Sequence, residues 1–348
     1  MVDTFASRAP SPSDRALSVG IVGAGEIVSR IHLPVLSACE GIQLAYVADK
    51  NPESARLVAK SFGCQPISLA GRLEELPETD VVLLAVPVSA RGPYHELFAG
   101  RGTQVLSEKP LATSLSDAER ACVMYPEHAL ACGFQRRAYA TTNLARLLVS
   151  QNWFGPLRSV SLSEGALTTK TGADSRFYDQ AGSGGGVLMD LGCHSLDLAI
   201  YISGATEVAV AEQRFVFDEG VDREVEACML LRTPSGTCEL DYFVTWLRPA
   251  ENVIHLRFDN CVVSFSCRPA QHIEIRGIRS EQDAALLSAK QAGATTVYQA
   301  FYLEWMDFLA GVRNRQPSRF SARSALATVR AVEMLYTEGK RAAGKRSI

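Results

Sequence analysis

A chain of 348 residues is long enough to bury two hydrophobic cores, and 47% hydrophobic with 21% charged residues is ordinary globular composition. With 35 basic against 38 acidic side chains the formal net charge is -3, which gives no field for holding nucleic acid, and no apolar run approaches the ~20 residues of a membrane span. The nine cysteines are scattered singly, with no Cys-x-x-Cys pair, and read as free buried thiols in a reducing compartment, the cytoplasm.

Residues 1–17 carry Ser, Pro, Arg and Asp but no apolar stretch, so they read as a mobile tail and not as a secretory signal. Leu17-Ser18-Val19-Gly20-Ile21-Val22 is a short apolar strand that runs straight into Gly23-Ala24-Gly25-Glu26-Ile27-Val28 and a helical pattern. In that setting Gly23 permits the tight turn, and Gly25 lets a pyrophosphate approach the backbone at the helix's positive end, with Glu26 and Ile27 beside it. Val28 stands where the usual fingerprint has a third glycine, which implies looser packing of helix on strand. Pro34 interrupts or kinks that helix.

A second strand, Gln43 to Ala48, ends at Asp49, where a ribose-binding acid is expected. Its carboxylate favours NAD, whereas the neighbouring Lys50 leaves NADP open. Asp49 also qualifies as the start of the next helix, Pro52 to Phe62. A short strand at Gln65 to Ser68 follows, then Val81 to Val86, a continuous apolar run ended by Pro87 and typical of a strand buried on both faces. Thr103 to Ser107 runs into Glu108-Lys109-Pro110, a further helix opens on the capping pattern Ser116-Asp117-Ala118-Glu119, and Ala129 to Phe134 is a last strand. Strands and helices alternating in this way predict a doubly wound parallel sheet, with its ligand crevice where the glycine turn, Asp49, Pro87 and Lys109 fall.

Gly184-Gly185-Gly186 then opens a helix that should run through Ser203 and stop at Gly204. The glycines are either a linker or a place where backbone approaches a ligand. Asp190 and His194, four apart, share a helical face and can reach one pocket, where the carboxylate would fix the imidazole's tautomer and support its charged form. The plainer alternative is a surface pair. Asp197 either buttresses the imidazole or faces solvent, and Gly192 inside a helix suggests close packing. Asp190, Cys193 and His194 have no further cluster at ligand spacing, so no metal is expected. Strands are predicted at Glu207 to Phe217, Glu224 to Arg232, Thr237 to Trp246, Val253 to Phe258, Val262 to Ser266 and His272 to Ile275, forming a largely antiparallel sheet. Two helices follow. Their stripes, Phe301, Trp305, Phe308, Leu309, Val312 and Ala325, Val329, Val332, Tyr336, read as core and not as cofactor contacts.

Taken in order, Gly23-Ala24-Gly25-Glu26-Ile27, Glu108-Lys109-Pro110, Gly133-Phe134-Gln135-Arg136-Arg137 and the run from Gly184 through Asp190, Gly192, His194 and Asp197 resemble the glucose–fructose oxidoreductase/inositol dehydrogenase (Gfo/Idh/MocA) family. The resemblance spans nearly all of the chain after its tail. It implies a Rossmann domain at 18–135 and an α+β domain with an open, mainly antiparallel sheet at 136–348, including the closing helices. It also implies a nicotinamide cofactor at their junction and a secondary alcohol or ketone of a sugar, cyclitol or related polyol as substrate. Homodimers or tetramers would pair through the open sheet.

Lys109, Asp190 and His194 align with the family's catalytic trio, with Lys109 or His194 as the base, and Glu108 joins Lys109 in the cofactor-binding set. Arg137 and Tyr178 fall near pocket segments. Arg91 stands where many relatives have a histidine, and is either an anion contact or a surface arginine. Two other functions stay open: a nucleotide-binding sensor without turnover, and glycosidic cleavage through transient oxidation.

Overall fold

The computed structural model describes residues 15–69, 73–168, 184–278 and 284–345. Tyr178 and nearly all of the N-terminal tail lie outside these residues. Six strands, β1 (Leu17–Val22), β2 (Ile42–Asp49), β3 (Gln65–Ser68), β4 (Val81–Leu84), β5 (Gln104–Glu108) and β6 (Leu130–Gly133), pair in parallel in the order β3-β2-β1-β4-β5-β6. Strand order reverses between β1 and β4, and a doubly wound sheet opens its crevice at that switch. All four residues of β4 are fully buried, as an unbroken Val-Val-Leu-Leu run between two helical layers requires.

The crossover helices begin where local chemistry caps them. Helix α1 (Leu33–Ser37) continues from the glycine turn, and α2 (Pro52–Phe62) starts at Asn51, whose side chain accepts from the Glu53 and Ser54 amides. Asp49 is therefore not the start of that helix. Helix α3 (Gly92–Gly100) precedes β5, and α4 (Leu115–Met124) follows it. Ser114 caps α4 by accepting from the Asp117 amide, two residues ahead of the Ser116 expected to do so.

The second sheet holds eight strands, β7 (Ser159–Gly165), β8 (Glu207–Asp218), β9 (Val221–Thr233), β10 (Gly236–Thr245), β11 (Val253–Arg257), β12 (Cys261–Ser266), β13 (His272–Gly277) and β14 (Ala284–Ser288). They lie in the order β14-β13-β12-β11-β7-β10-β9-β8, antiparallel except where β7 pairs with β10. The six strands predicted here are present; β7, at the centre of the sheet, and β14, at its edge, were not predicted. Helix α5 (Ala140–Ser150) and α6 (Cys193–Ser203) pack on this sheet, and α6 ends at Gly204 as expected, with φ 69°.

Two long helices close the chain, α7 (Val297–Asn314) and α8 (Leu326–Lys345). Phe301, Trp305, Phe308 and Leu309 of α7 are buried against Val19, Ile21 and Leu33 of the N-terminal sheet and its first helix, so this stripe is core. Phe301 departs from that reading in one respect, because it also lines the cavity described next.

Candidate active site

A cavity of about 830 Å³ lies between the two sheets. It is lined by all nine residues predicted to touch the cofactor, Gly23, Gly25, Glu26, Ile27, Asp49, Lys50, Pro87, Glu108 and Lys109, and by Asp190, His194 and Arg91.

One end is the glycine turn. Gly23 has φ +107°, and a Cβ there would meet the Ala85 carbonyl oxygen at 2.5 Å, so only glycine fits. A Cβ on Gly25 would meet nothing within 4 Å, because that face opens into the cavity. Val28 is fully buried where the third glycine would be, and the chain runs as a π-helical turn from Val28 to His32. The Asp49 carboxylate ties the end of β2 to this turn: one oxygen accepts from the Ala24 amide at 2.7 Å, the other from the Asn51 amide at 2.8 Å. An open backbone face at a glycine turn, with a carboxylate beside it, fits the pyrophosphate and ribose of a dinucleotide.

The other end is built by the start of the Asp190–His194 helix. Buried Asp222 of β9 holds it: one oxygen accepts from the Gly186 amide at 2.7 Å and from the Tyr336 hydroxyl at 2.9 Å, the other from the Leu188 amide at 2.8 Å. Burial raises the Asp222 pKa, against the pull of those donors. A Cβ on Gly186 would stand 2.1 Å from the Asp222 carbonyl oxygen, and one on Gly185 would stand 2.2 Å from the Tyr336 hydroxyl. The glycine run therefore serves close approach to protein groups more than to a ligand, although Gly185 also borders the cavity. Gly192 does mark close packing, since Tyr242 donates to its carbonyl at 3.0 Å.

From Leu188 to Gly192 the chain is a π-helical turn that leads into α6 and places Asp190 and His194 on the cavity. Their partners differ from expectation. Asp190 does not orient the imidazole; its carboxylate and carbonyl oxygens accept from the Lys109 ammonium at 2.8 and 2.9 Å. His194 packs edge-on against Phe134, with ring centroids 5.9 Å apart, and its Nδ1 is buried without a hydrogen-bond partner. Burial, with the Lys109 and Arg136 charges adding to it, lowers the His194 pKa well below 6.5, so the ring is neutral. Burial is the largest single influence on Lys109 and opposes its charge too, but the Asp190 carboxylate, with Glu108 and other nearby groups adding, holds the ammonium above its ordinary range.

Three charged residues from the sequence reading have other work. Asp197 neither buttresses His194 nor faces solvent: it is buried and accepts from Arg137 at 2.5 and 2.8 Å and from Thr328 at 3.0 Å. Arg137, 1% exposed, also donates to the Arg319 carbonyl and to Ser324, so it stitches the core and does not line the cavity. Arg91 is no surface residue either. Its buried guanidinium straps the loop after β5, donating to the carbonyls of Val86, Glu108 and Pro110, and burial pushes its pKa down to about 10. Sequence reasoning missed Asp222, which bears no local signature, and Gln135 and Met189 on the cavity wall. Cys193 is spent inside its helix, donating to the Met189 and Asp190 carbonyls, and among the described residues no cluster of His, Cys, Asp or Glu is placed to hold a metal ion.

The cleft brings a lysine, a carboxylate and a histidine together from the two lobes, opposite a glycine turn whose open backbone face suits a dinucleotide. Two family models match the chain, the NAD-binding Rossmann fold of the oxidoreductase family over residues 17–134 and the GFO/IDH/MocA C-terminal domain over residues 142–277. The chain belongs to the Gfo/Idh/MocA family.

Among its relatives, dTDP-3,4-didehydro-2,6-dideoxy-alpha-D-glucose 3-reductase of Streptomyces violaceoruber is 30% identical over 193 residues, 55% of this chain and 56% of that protein. Inositol 2-dehydrogenase of Rhizobium meliloti is 26% identical over 226 residues, 62% of this chain and 65% of that protein. The chain thus spans less than two thirds of the length of these curated relatives. In fold it is similar to an aldose-aldose oxidoreductase from Caulobacter crescentus crystallised with glycerol, with a TM-score of 0.80 at 22% identity, covering 94% of this chain and 98% of that one. Among the described residues no helix is long and apolar enough to cross a membrane.

Proposed function

We propose that this chain is an NAD-dependent oxidoreductase that interconverts a secondary alcohol and a ketone on a sugar, cyclitol or related polyol. The observation that carries the reading is the Lys109–Asp190 contact of 2.8 Å between the two lobes, on the same cavity wall as His194 and facing the glycine turn. A bound nicotinamide supplies or accepts the hydride. The chain's own residues handle the oxygen and its proton.

An ammonium has three donors, and two of those on Lys109 go to Asp190, which leaves one for the substrate's carbinol or carbonyl oxygen. Because Asp190 keeps Lys109 charged, that lysine stabilises a developing alkoxide and is not the base. Neutral His194 takes the hydroxyl proton in oxidation and returns it in reduction. At the far end Asp49 accepts from the ribose hydroxyls, which favours NAD over a phosphorylated ribose. Nine free cysteines among the described residues suit a reducing cytoplasm, and self-association through the open face of the eight-stranded sheet is part of this reading.

The test is absorbance of reduced cofactor with NAD⁺ or NADP⁺ and a panel holding an inositol, a free hexose, a hexose phosphate and a nucleotide-linked hexose. Reduced cofactor should form with at least one of them, faster with NAD⁺. Lys109→Met and His194→Ala should each lower turnover by about 10²–10⁴-fold while NADH still binds. Unchanged turnover in both variants would remove the mechanism.

A further inference from the structure

Behind Lys109 lies a buried hydrogen-bonded chain that the catalytic trio does not include. The indole N–H of Trp305, on α7, donates to Nδ1 of His32 at 3.0 Å. Nε2 of His32 stands 2.8 Å from one oxygen of Glu108, and the other Glu108 oxygen accepts from the Lys109 amide at 3.0 Å. Trp305 and His32 are both 0% exposed. An indole nitrogen can only donate, so Nδ1 of His32 must accept. The ring's one proton is then on Nε2, aimed at Glu108. Phe301 meets the imidazole edge-on, with ring centroids 4.9 Å apart, and so fixes the ring plane as well.

We propose that His32 and Trp305 are positioning residues for Lys109. Trp305 locks His32 in the Nε2–H tautomer, His32 fixes the Glu108 carboxylate, and Glu108 pins the Lys109 amide so that its ammonium is held at Asp190. Neither His32 nor Trp305 lines the cavity. The reach of the hydrogen-bonded chain is long: α7 sets the tip of β5 through a residue in the turn after the glycines, 273 positions away in sequence. A misplacement of about 1 Å at a catalytic group lowers turnover by up to about 10²-fold, so a device that removes rotational freedom from the loop bearing Lys109 has a measurable effect. The inference rests on the oxidoreductase reading only for what Lys109 does.

Three variants test it. Trp305→Phe keeps an aromatic ring and deletes only the N–H. His32→Leu removes both links, and His32→Gln restores a donor towards Glu108. With the fastest substrate of the panel, Trp305→Phe and His32→Leu should lower kcat by about 10- to 100-fold, with NADH affinity within about threefold of wild type. His32→Gln should recover most of the loss. Independently of turnover, nitrogen NMR of labelled histidine should show His32 protonated at Nε2 and bare at Nδ1, and Trp305→Phe should shift the Nδ1 resonance as that nitrogen loses its donor.

If His32→Leu proves unfolded, Trp305→Phe and the NMR signal decide. Wild-type kcat in Trp305→Phe alongside a dead Lys109→Met would overturn the positioning role and leave the oxidoreductase reading standing. A mixed tautomer in the wild-type protein would overturn the lock itself. Full turnover in Lys109→Met would instead sink the functional reading.

Discussion

Replacing Asp190 by Asn isolates the electrostatic core of the proposed mechanism. At 2.8 Å and an effective dielectric constant near 20, the Lys109–Asp190 attraction is about 6 kcal/mol. Desolvation of the two groups, whose side chains are 18% and 23% exposed, takes back most of it. A net loss of about 1–2 kcal/mol of stability is the expected remainder.

The larger effect is on the ammonium. Burial is the strongest influence on Lys109 and disfavours its charge, and with Asp190 neutral only Glu108 opposes it among the carboxylates. The pKa should fall from above the ordinary lysine value of 10.5 to below it. Limiting acetic anhydride between about pH 7 and about pH 11, followed by mass spectrometry of the Lys109 peptide, reads this directly without a substrate. In the wild-type protein labelling of Lys109 should stay low throughout. In Asp190→Asn it should rise with a midpoint below 10.5, and kcat/KM should gain an alkaline limb there. Superimposable labelling curves would show that Asp190 does not hold the lysine charged, and His194 would lose its claim to be the base.

Two further outcomes follow from buried charge elsewhere. Burial, with Glu108 adding and Arg137 opposing, raises the pKa of fully buried Glu304 well above 4.5. The folded chain then keeps a proton that the unfolded chain releases, so stability present below about pH 4.5 is lost as pH rises towards the folded pKa, by about 1.4 kcal/mol per pH unit. Glu304→Gln should therefore stabilise the protein at neutral pH and not at pH 4 in denaturant unfolding; an equal effect at both would contradict the linkage. Arg137→Met leaves buried Asp197 with Thr328 alone and should lower stability by about 3–5 kcal/mol. A stable variant with a raised KM would instead return Arg137 to the substrate pocket.

Much of the N-terminal half is legible in the sequence because its signals are local. A buried parallel strand such as Val81 to Leu84 is an unbroken apolar run, and the glycine turn declares itself within six residues. Helix α6 announces its stop at Gly204. The missed strands show where such signals fail. In β7 serines alternate with Val160 and Leu162, a pattern drowned between a helix and the glycine run, and every residue of the edge strand β14 is exposed.

In the site, the right residues could be named but not their partners. Asp190 and His194 share a helix, yet what Asp190 bonds is decided by Lys109, 81 positions away. Asp197 and Arg137 lie 60 apart, and Asp222 reaches Gly186 across 36. Pairings of that kind are set by how the sheets stack, which spacing along a helix does not encode.

Helix α7 has a consequence for the order in which the protein can be made. Besides the Trp305–His32 link, Tyr298 donates to the Arg30 carbonyl at 3.2 Å and Arg313 to the Gly41 carbonyl at 2.8 Å, across 268 and 272 positions. The first lobe to leave the ribosome therefore lacks its cover until almost the whole chain has been translated. Until then Val19, Ile21 and Leu33 present a greasy face to water, where a nascent chain is open to chaperone capture. Cutting the gene after residue 135 would release that half-finished lobe permanently, so neither half can be expected to work as a detached module.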